Sequence, residues 1–314
     1  MTKADKRSRT VSVPSGVSSF FEICDKNEDG SKVKDPLRIG ARGGGFIIER
    51  GTKTVVLTNE SIKEDAVIVN GKLTSSARTT LRVIELLRKE FAIRPVKVIQ
   101  KVEPPIGTGF GTSGAGALST AIAISDLFEL GLTLSKAADF AHVADVESVT
   151  GLGTVISLAA SPGSVGLVTE PGSYSVGRVD AILGDYSDYT LICACFAPIE
   201  KSTVLQNNTR KSLINKFGRR ALESIQDSPT AESLLYHSRI FAEKSGIGTS
   251  QLLSLADKAV RMGAVGATQN MIGSSVHCLV QKRRRKAFVD SFRELVPKES
   301  LFESDLCPSQ NCQT

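Results

Sequence analysis

The segment PPIGTGFGTSGAG, Pro104 to Gly116, sets glycine at 107, 109, 111, 114 and 116 between two apolar runs. VKVIQKV before it predicts a strand, and AGALSTAIAISDLFEL after it is apolar on nearly every side. A helix with no polar face belongs in the middle of a domain. Glycine permits positive φ and lets backbone N–H groups approach an anion with no Cβ in the way. A helix starting near Ser113 aims its positive end at whatever the loop holds, and phosphate is the natural occupant. The expected phosphate cradle is Pro105, Gly107, Gly109, Gly111, Thr112, Ser113, Gly114 and Ala115. A hydroxyl from Ser113 or Thr112 suits a phosphate-bound Mg²⁺, which prefers oxygen ligands.

Two other glycine motifs fit poorly. A Walker loop needs Gly-Lys-Ser/Thr, yet no lysine lies between Lys101 and Lys136. The dinucleotide pattern GxGxxG is formally present at Gly109, Gly111 and Gly114. It lies far from the N-terminus, follows two prolines and lacks the acidic residue after a following strand. Close helix packing alone requires fewer glycines than this.

Outward from the loop, FIIER, GTK and TVVL read as strand, turn and strand, and AVIVN as a further strand. ARTTLRVIELLRKEF reads as a helix, as does SKAADFAHVADVES with Ser135 at its N-cap. DYSDY, Asp185 to Tyr189, marks a shift in composition ahead of the strand LICACF. Helices are expected around Lys211 to Ile225, Ala231 to Lys244 and Ser250 to Met262, with one late strand, SVHCLVQ. Residues 1 to about 10 read as a polar lead and the tail after Leu301 as frayed. The mixture lacks strict βαβ alternation, so the expected class is α+β with two domains, 1–185 and 186–314.

Composition narrows the function classes. Of 314 residues, 41% are hydrophobic and 23% charged, the balance of a soluble globular protein. No apolar run reaches the roughly 18 to 20 residues that span a bilayer. The polar, basic N-terminus has no apolar segment behind it, which leaves the cytoplasm as the expected location. Six cysteines form no CxxC pair, and only three histidines are present, which speaks against a zinc site. Cys193 and Cys195, two apart on a strand, are expected on one buried face. The net charge of +6 suits an anionic substrate. The basic run KRRRK, Lys282 to Lys286, has no interleaved aromatics and reads as a solvated turn rather than a nucleic-acid patch.

The glycine loop resembles that of the GHMP kinases, the superfamily of homoserine, mevalonate and galactose kinases. VPSGVSSFF resembles that superfamily's first motif and GATQNMIGSSVHCLV its third, in the right order and across nearly the whole chain. Within it, SSFFEIC, DPLRIGARGGGF, AHVADVESVTGLGTV and GATQNMIG resemble the archaeal pantoate kinases. The resemblance implies transfer of the ATP γ-phosphate to the 4-hydroxyl of pantoate on a route to coenzyme A, and a homodimer.

It also implies that a Mg²⁺ carboxylate sits on the helix SKAADFAHVADVES after an alanine, which favours Asp145, with Glu147 in reserve. Residues two apart on a helix point in widely different directions, so only one of the two should face the site. Many relatives carry an aspartate base where this chain has Thr154, and a lysine or histidine where it has Gly16. Thr154 is therefore expected to orient the acceptor hydroxyl, beside Asp145 and Ser113. An acidic acceptor calls for a cation: Arg42 first, because flanking glycines free its backbone to lie against a ligand, then Arg38, with His142 as a further contact. Another small alcohol of the homoserine or mevalonate class keeps the same fold. The missing aspartate also leaves room for a catalytically silent ATP-binding regulator, and the charge for a nucleic-acid binder.

Overall fold

The structure, a computed structural model, describes residues 7–197 and 208–308. It is built on a long antiparallel pair, β1 (Arg7–Cys24) and β2 (Gly40–Thr58), in register from Arg7 opposite Thr58 to Cys24 opposite Gly40. From Ser12 to Ser19 β1 alternates buried and more exposed positions with a period of two, as a strand with one face on the core must, and past Ser19 both faces carry buried residues. Its register shifts between Pro14 and Ser15 and again between Ser18 and Phe20. Proline has no N–H to give a ladder, which explains the first shift.

Five more strands complete this sheet: β3 (Ala66–Val69), β4 (Lys72–Leu73), β5 (Lys97–Val102), β6 (Val165–Glu170) and β7 (Arg178–Ala181). Their order is β4-β3-β5-β2-β6-β7, with β1 paired to β2. Helices α1 (Arg78–Glu90), α2 (Thr112–Leu127), α3 (Leu134–Glu147) and α4 (Thr154–Ala160) pack with it. Val56, Val98, Leu87, Leu118 and Ile124 share their core. As its composition requires, α2 is buried along almost its whole length.

The second sheet, in the order β11-β8-β10-β9, is wholly antiparallel: β8 (Tyr189–Ala197), β9 (Gly266–Gln269), β10 (Ser274–Gln281) and β11 (Leu301–Asp305). With it go α5 (Asn208–Asp227), α6 (Ala231–Lys244), α7 (Ser250–Arg261) and α8 (Arg285–Phe292). Cys193 and Cys195 lie buried together in a core that also holds Phe20, Phe46 and Phe110 from the first half and Phe241 and Phe302 from the second. Among the described residues, no helix is long and apolar enough to cross a membrane.

Four expectations need correction. GTK does not turn: Gly51 and Thr52 pair with Pro14 and Val13, so FIIERGTKTVVL is one continuous strand. Residues 7–10 belong to β1 rather than to a polar lead. The tail is not frayed from Leu301, because β11 pairs with β8 and the Phe302 ring meets Phe110 edge-on at 5.0 Å; positions 309–314 lie outside the described residues. Thr133, not Ser135, caps α3 by accepting from the Lys136 N–H.

Candidate functional site

The glycine loop leaves β5 at Val102 and ends where α2 begins. Gly107, Gly109 and Gly111 take φ of 82°, 91° and 61°, the left-handed region that favours glycine. Gly111 is the residue before α2, whose first turn carries no capping side chain and no acidic residue. The positive end of a 16-residue helix is thus left open toward the loop. Thr112 and Ser113 stand half-buried at that end.

The loop is fixed from behind. The Thr108 carbonyl accepts from Ser275 Oγ at 2.5 Å and from Asn270 Nδ2 at 3.3 Å, and Thr108 Oγ1 donates to the Pro105 carbonyl at 2.8 Å. A Cβ on Gly273 would stand 2.3 Å from the Thr108 carbonyl oxygen, so only glycine lets this turn approach.

A cavity opens beside the loop. A Cβ on Gly111 would lie 2.5 Å from Thr154 Cγ2 and 3.3 Å from the Gly16 carbonyl oxygen. Gly16 and Thr154 also line the cavity, which begins there and is walled by β1, β2, the turn 150–153 and the Met271–Ile272 segment. Arg42 is the one charged side chain among its described lining residues.

Arg42 belongs to a trio. Its Nη2 reaches Glu22 Oε1 at 2.9 Å and Oε2 at 2.8 Å, and Arg219 of α5 reaches Glu22 Oε1 at 2.8 Å. Burial works against the Arg42 charge, and the buried Glu22 carboxylate more than restores it. One carboxylate between two guanidiniums leaves the trio a net positive charge. The flanking glycines have another cause than the one the sequence suggested. Cβ atoms on Gly43 and Gly45 would stand 2.4 Å from the Phe20 and 1.9 Å from the Val17 carbonyl oxygens, so close passage of β1 requires them.

Asp145, near the end of α3, is buried. Its Oδ1 accepts from Thr150 Oγ1 at 2.6 Å, and Thr150 Oγ1 lies 2.8 Å from Thr79 Oγ1. A Cβ on Gly151 would meet Asp145 Oδ2 at 2.2 Å. The carboxylate therefore lies directly beneath a turn whose Thr150 and Gly151 line the cavity. By donor type, the two hydroxyls at the open end of α2 and the Asp145 carboxylate suit Mg²⁺, which binds through one or two carboxylates plus substrate phosphates and keeps several waters.

The GHMP kinases N terminal domain model matches residues 78–159, which hold the loop, Asp145 and Thr154. The pantoate kinase of Thermococcus kodakarensis is 30% identical over 273 residues, 86% of this chain and 86% of that protein. The chain belongs to the GHMP kinase superfamily, in the pantoate kinase family. The pantoate kinase of Methanocaldococcus jannaschii is 28% identical over 271 residues, 86% of this chain and 92% of that protein. A solved "Phosphotransferase related to CoA biosynthesis pathway" superposes with a TM-score of 0.79 at 26% identity, covering 97% of this chain and 96% of its own. Mevalonate diphosphate decarboxylase from Staphylococcus aureus, at 14% identity and a TM-score of 0.69, shares the fold, with 97% of each chain covered.

Within this GHMP kinase fold, the other residues singled out by sequence lie apart from the cavity lining. Glu147 points away from Asp145 and pairs with Arg82 at 2.6 Å. Arg38 is largely exposed, 3.8 Å from Asp35. His142 is buried with Nε2 2.9 Å from the Ile39 carbonyl, and burial lowers its pKa. A neutral imidazole donating to that carbonyl pins the chain leading into β2. In KRRRK, Lys282 pairs with Asp305 and Arg285 with Glu303 on β11. Sequence reasoning missed Glu22, Arg219 and Thr150. A lone acid inside the apolar run FFEIC signals Glu22, whereas nothing local distinguishes Arg219 from the basic residues around it.

Proposed function

We propose that the chain is an ATP-dependent kinase that phosphorylates the 4-hydroxyl of pantoate, giving 4-phosphopantoate and ADP. The observation that carries this reading is a guanidinium, Arg42, on the wall of a cavity that begins at the glycine loop. An acidic acceptor can rest its carboxylate on Arg42 while its hydroxyl lies toward Thr154 and the loop. The names of the two curated relatives support pantoate as that acceptor.

Positioning and charge neutralisation do most of the work in phosphoryl transfer. Backbone N–H groups of the loop and the open end of α2 hold the phosphates, and Ser113 and Asp145 would hold Mg²⁺. The metal, when bound, neutralises charge on the phosphate oxygens. Glu22 aims Arg42, and Thr150 aims Asp145. Thr154 orients the acceptor hydroxyl and cannot take its proton at neutral pH. No carboxylate is among the described residues that line the cavity. As the new O–P bond forms and the bond to the ADP oxygen breaks, the hydroxyl proton leaves late, onto a phosphoryl oxygen or water.

The test is ADP release with Mg²⁺ and pantoate, pantothenate, homoserine or mevalonate as acceptor. Turnover with pantoate alone is expected, and turnover only with another acceptor would discard pantoate. Arg42→Ala should raise the pantoate KM at least about tenfold, the worth of a charge-assisted hydrogen bond, and leave the ATP KM nearly unchanged.

A further inference from the structure

Behind the glycine loop run three buried polar side chains that phosphoryl transfer does not use directly. Ser19 on β1, His277 on β10 and Asn270 just after β9 are each fully buried. Ser19 Oγ lies 2.9 Å from His277 Nε2, and His277 Nδ1 lies 2.9 Å from Asn270 Oδ1. An amide oxygen can only accept, so Nδ1 carries the ring proton and Nε2 accepts from the Ser19 hydroxyl. Burial keeps this imidazole neutral.

The arrangement fixes which way the Asn270 amide faces. With Oδ1 engaged by His277, Nδ2 is turned onto the Thr108 carbonyl in the loop. Asn270 also sets the floor of the loop, since a Cβ on Gly109 would lie 2.7 Å from Asn270 Cβ. At its other end the chain of bonds adjoins the cavity wall, through Ser18 next to Ser19. Ser18 and Met271 line the cavity, and the Met271 N–H donates to the Ser18 carbonyl at 2.8 Å. A phenyl ring at 277 would fill the same space beside Phe46 without desolvating two ring nitrogens. What the imidazole adds is direction.

We infer that Ser19, His277 and Asn270 form a positioning relay that holds the glycine loop ready for the phosphates of ATP and ties it to the acceptor wall. This rests on the kinase reading above. None of the three touches substrate, so each is a positioning residue.

The test is calorimetric titration of the intact protein with Mg-ATP, without acceptor, for Ser19→Ala, His277→Phe and Asn270→Ala. Thr268→Val is the control: Thr268 is buried on β9 opposite His277, and its hydroxyl has no hydrogen-bond partner among the described residues. The relay variants should weaken Mg-ATP about tenfold, while the control stays within about twofold of the natural sequence. Steady-state kinetics should show the ATP KM rising with the pantoate KM nearly unchanged. If His277→Phe fails to fold, the mild Ser19→Ala still decides. Natural-sequence affinity in folded relay variants, with only the melting temperature lowered, would mean mere sheet packing and would overturn the relay. Absence of Mg-ATP binding by the natural sequence would overturn the kinase reading and the relay with it.

Discussion

At the scale of single residues, burial decides what each ionisable group can do. Asp145 and Glu147 lie on one helix two positions apart. The first is buried under the cavity turn, and the second is spent on Arg82 at the surface. The spacing made it legible that only one could face inward, but not which neighbour would hold it. Thr150 supplies that hold from outside the helix. Arg42 was legible as a cation, though Arg219, which shares its partner Glu22, lies 177 positions further along the chain, beyond any local pattern. Burial also sets a pH dependence. It pushes His277 down to about 3 from an ordinary 6.5, and lowers His142 in the same direction. Below pH 6.5 the unfolded chain binds protons that the folded chain refuses, so stability is full above that pH and falls as pH drops toward 3. His277 alone should remove about 1.4 kcal/mol per pH unit once well inside that window. Urea titrations at pH 7, 6 and 5 should show the fall, and a flat profile would contradict the buried neutral imidazole.

At the scale of elements, local pattern succeeded where one element carries its own signal. The glycine loop, the all-buried α2 and the apolar β8 were readable because glycine spacing and hydrophobicity act within about 15 residues. The long β1–β2 pair was not, because Gly51 resembles a turn residue in sequence and is required instead by the Val13 carbonyl, 2.1 Å from where its Cβ would stand. Likewise β11 forms only because β8 offers an edge more than a hundred residues earlier. The turn after α3 carries one local conflict. Val149 has φ of 56° and is exposed, a conformation that a β-branched residue adopts with strain. Its N–H and that of Thr150 close back onto Val146 and Asp145, the helix-ending turn where glycine or asparagine is the common choice. Val149→Asn should therefore stabilise the fold by about 1 kcal/mol, read as a raised melting temperature. A lower melting temperature would show that the valine is unstrained. The strained turn leads directly into Thr150, which bonds Asp145, so the strain sits beside the site.

At the scale of the whole molecule, neither half makes the site alone. The loop, Asp145 and Thr154 come from the first half, while Asn270, Ser275 and Arg219 come from the second. A shared core of Phe20, Phe46, Phe110, Phe241 and Phe302 joins the two, so the loop's backing and the second guanidinium on Glu22 arrive with the fold. That interdependence was visible in sequence only through resemblance, because no short-range pattern links position 108 to position 270. The net charge of +6 agrees with two anionic substrates, although Lys282 and Arg285 of the basic run pair with carboxylates on β11. The most direct measurement is a phosphorus NMR spectrum of the protein with ATP, Mg²⁺ and pantoate. The account predicts a phosphomonoester resonance that grows in step with ADP and is absent without pantoate. Inorganic phosphate in its place, or an unchanged ATP spectrum, would contradict it.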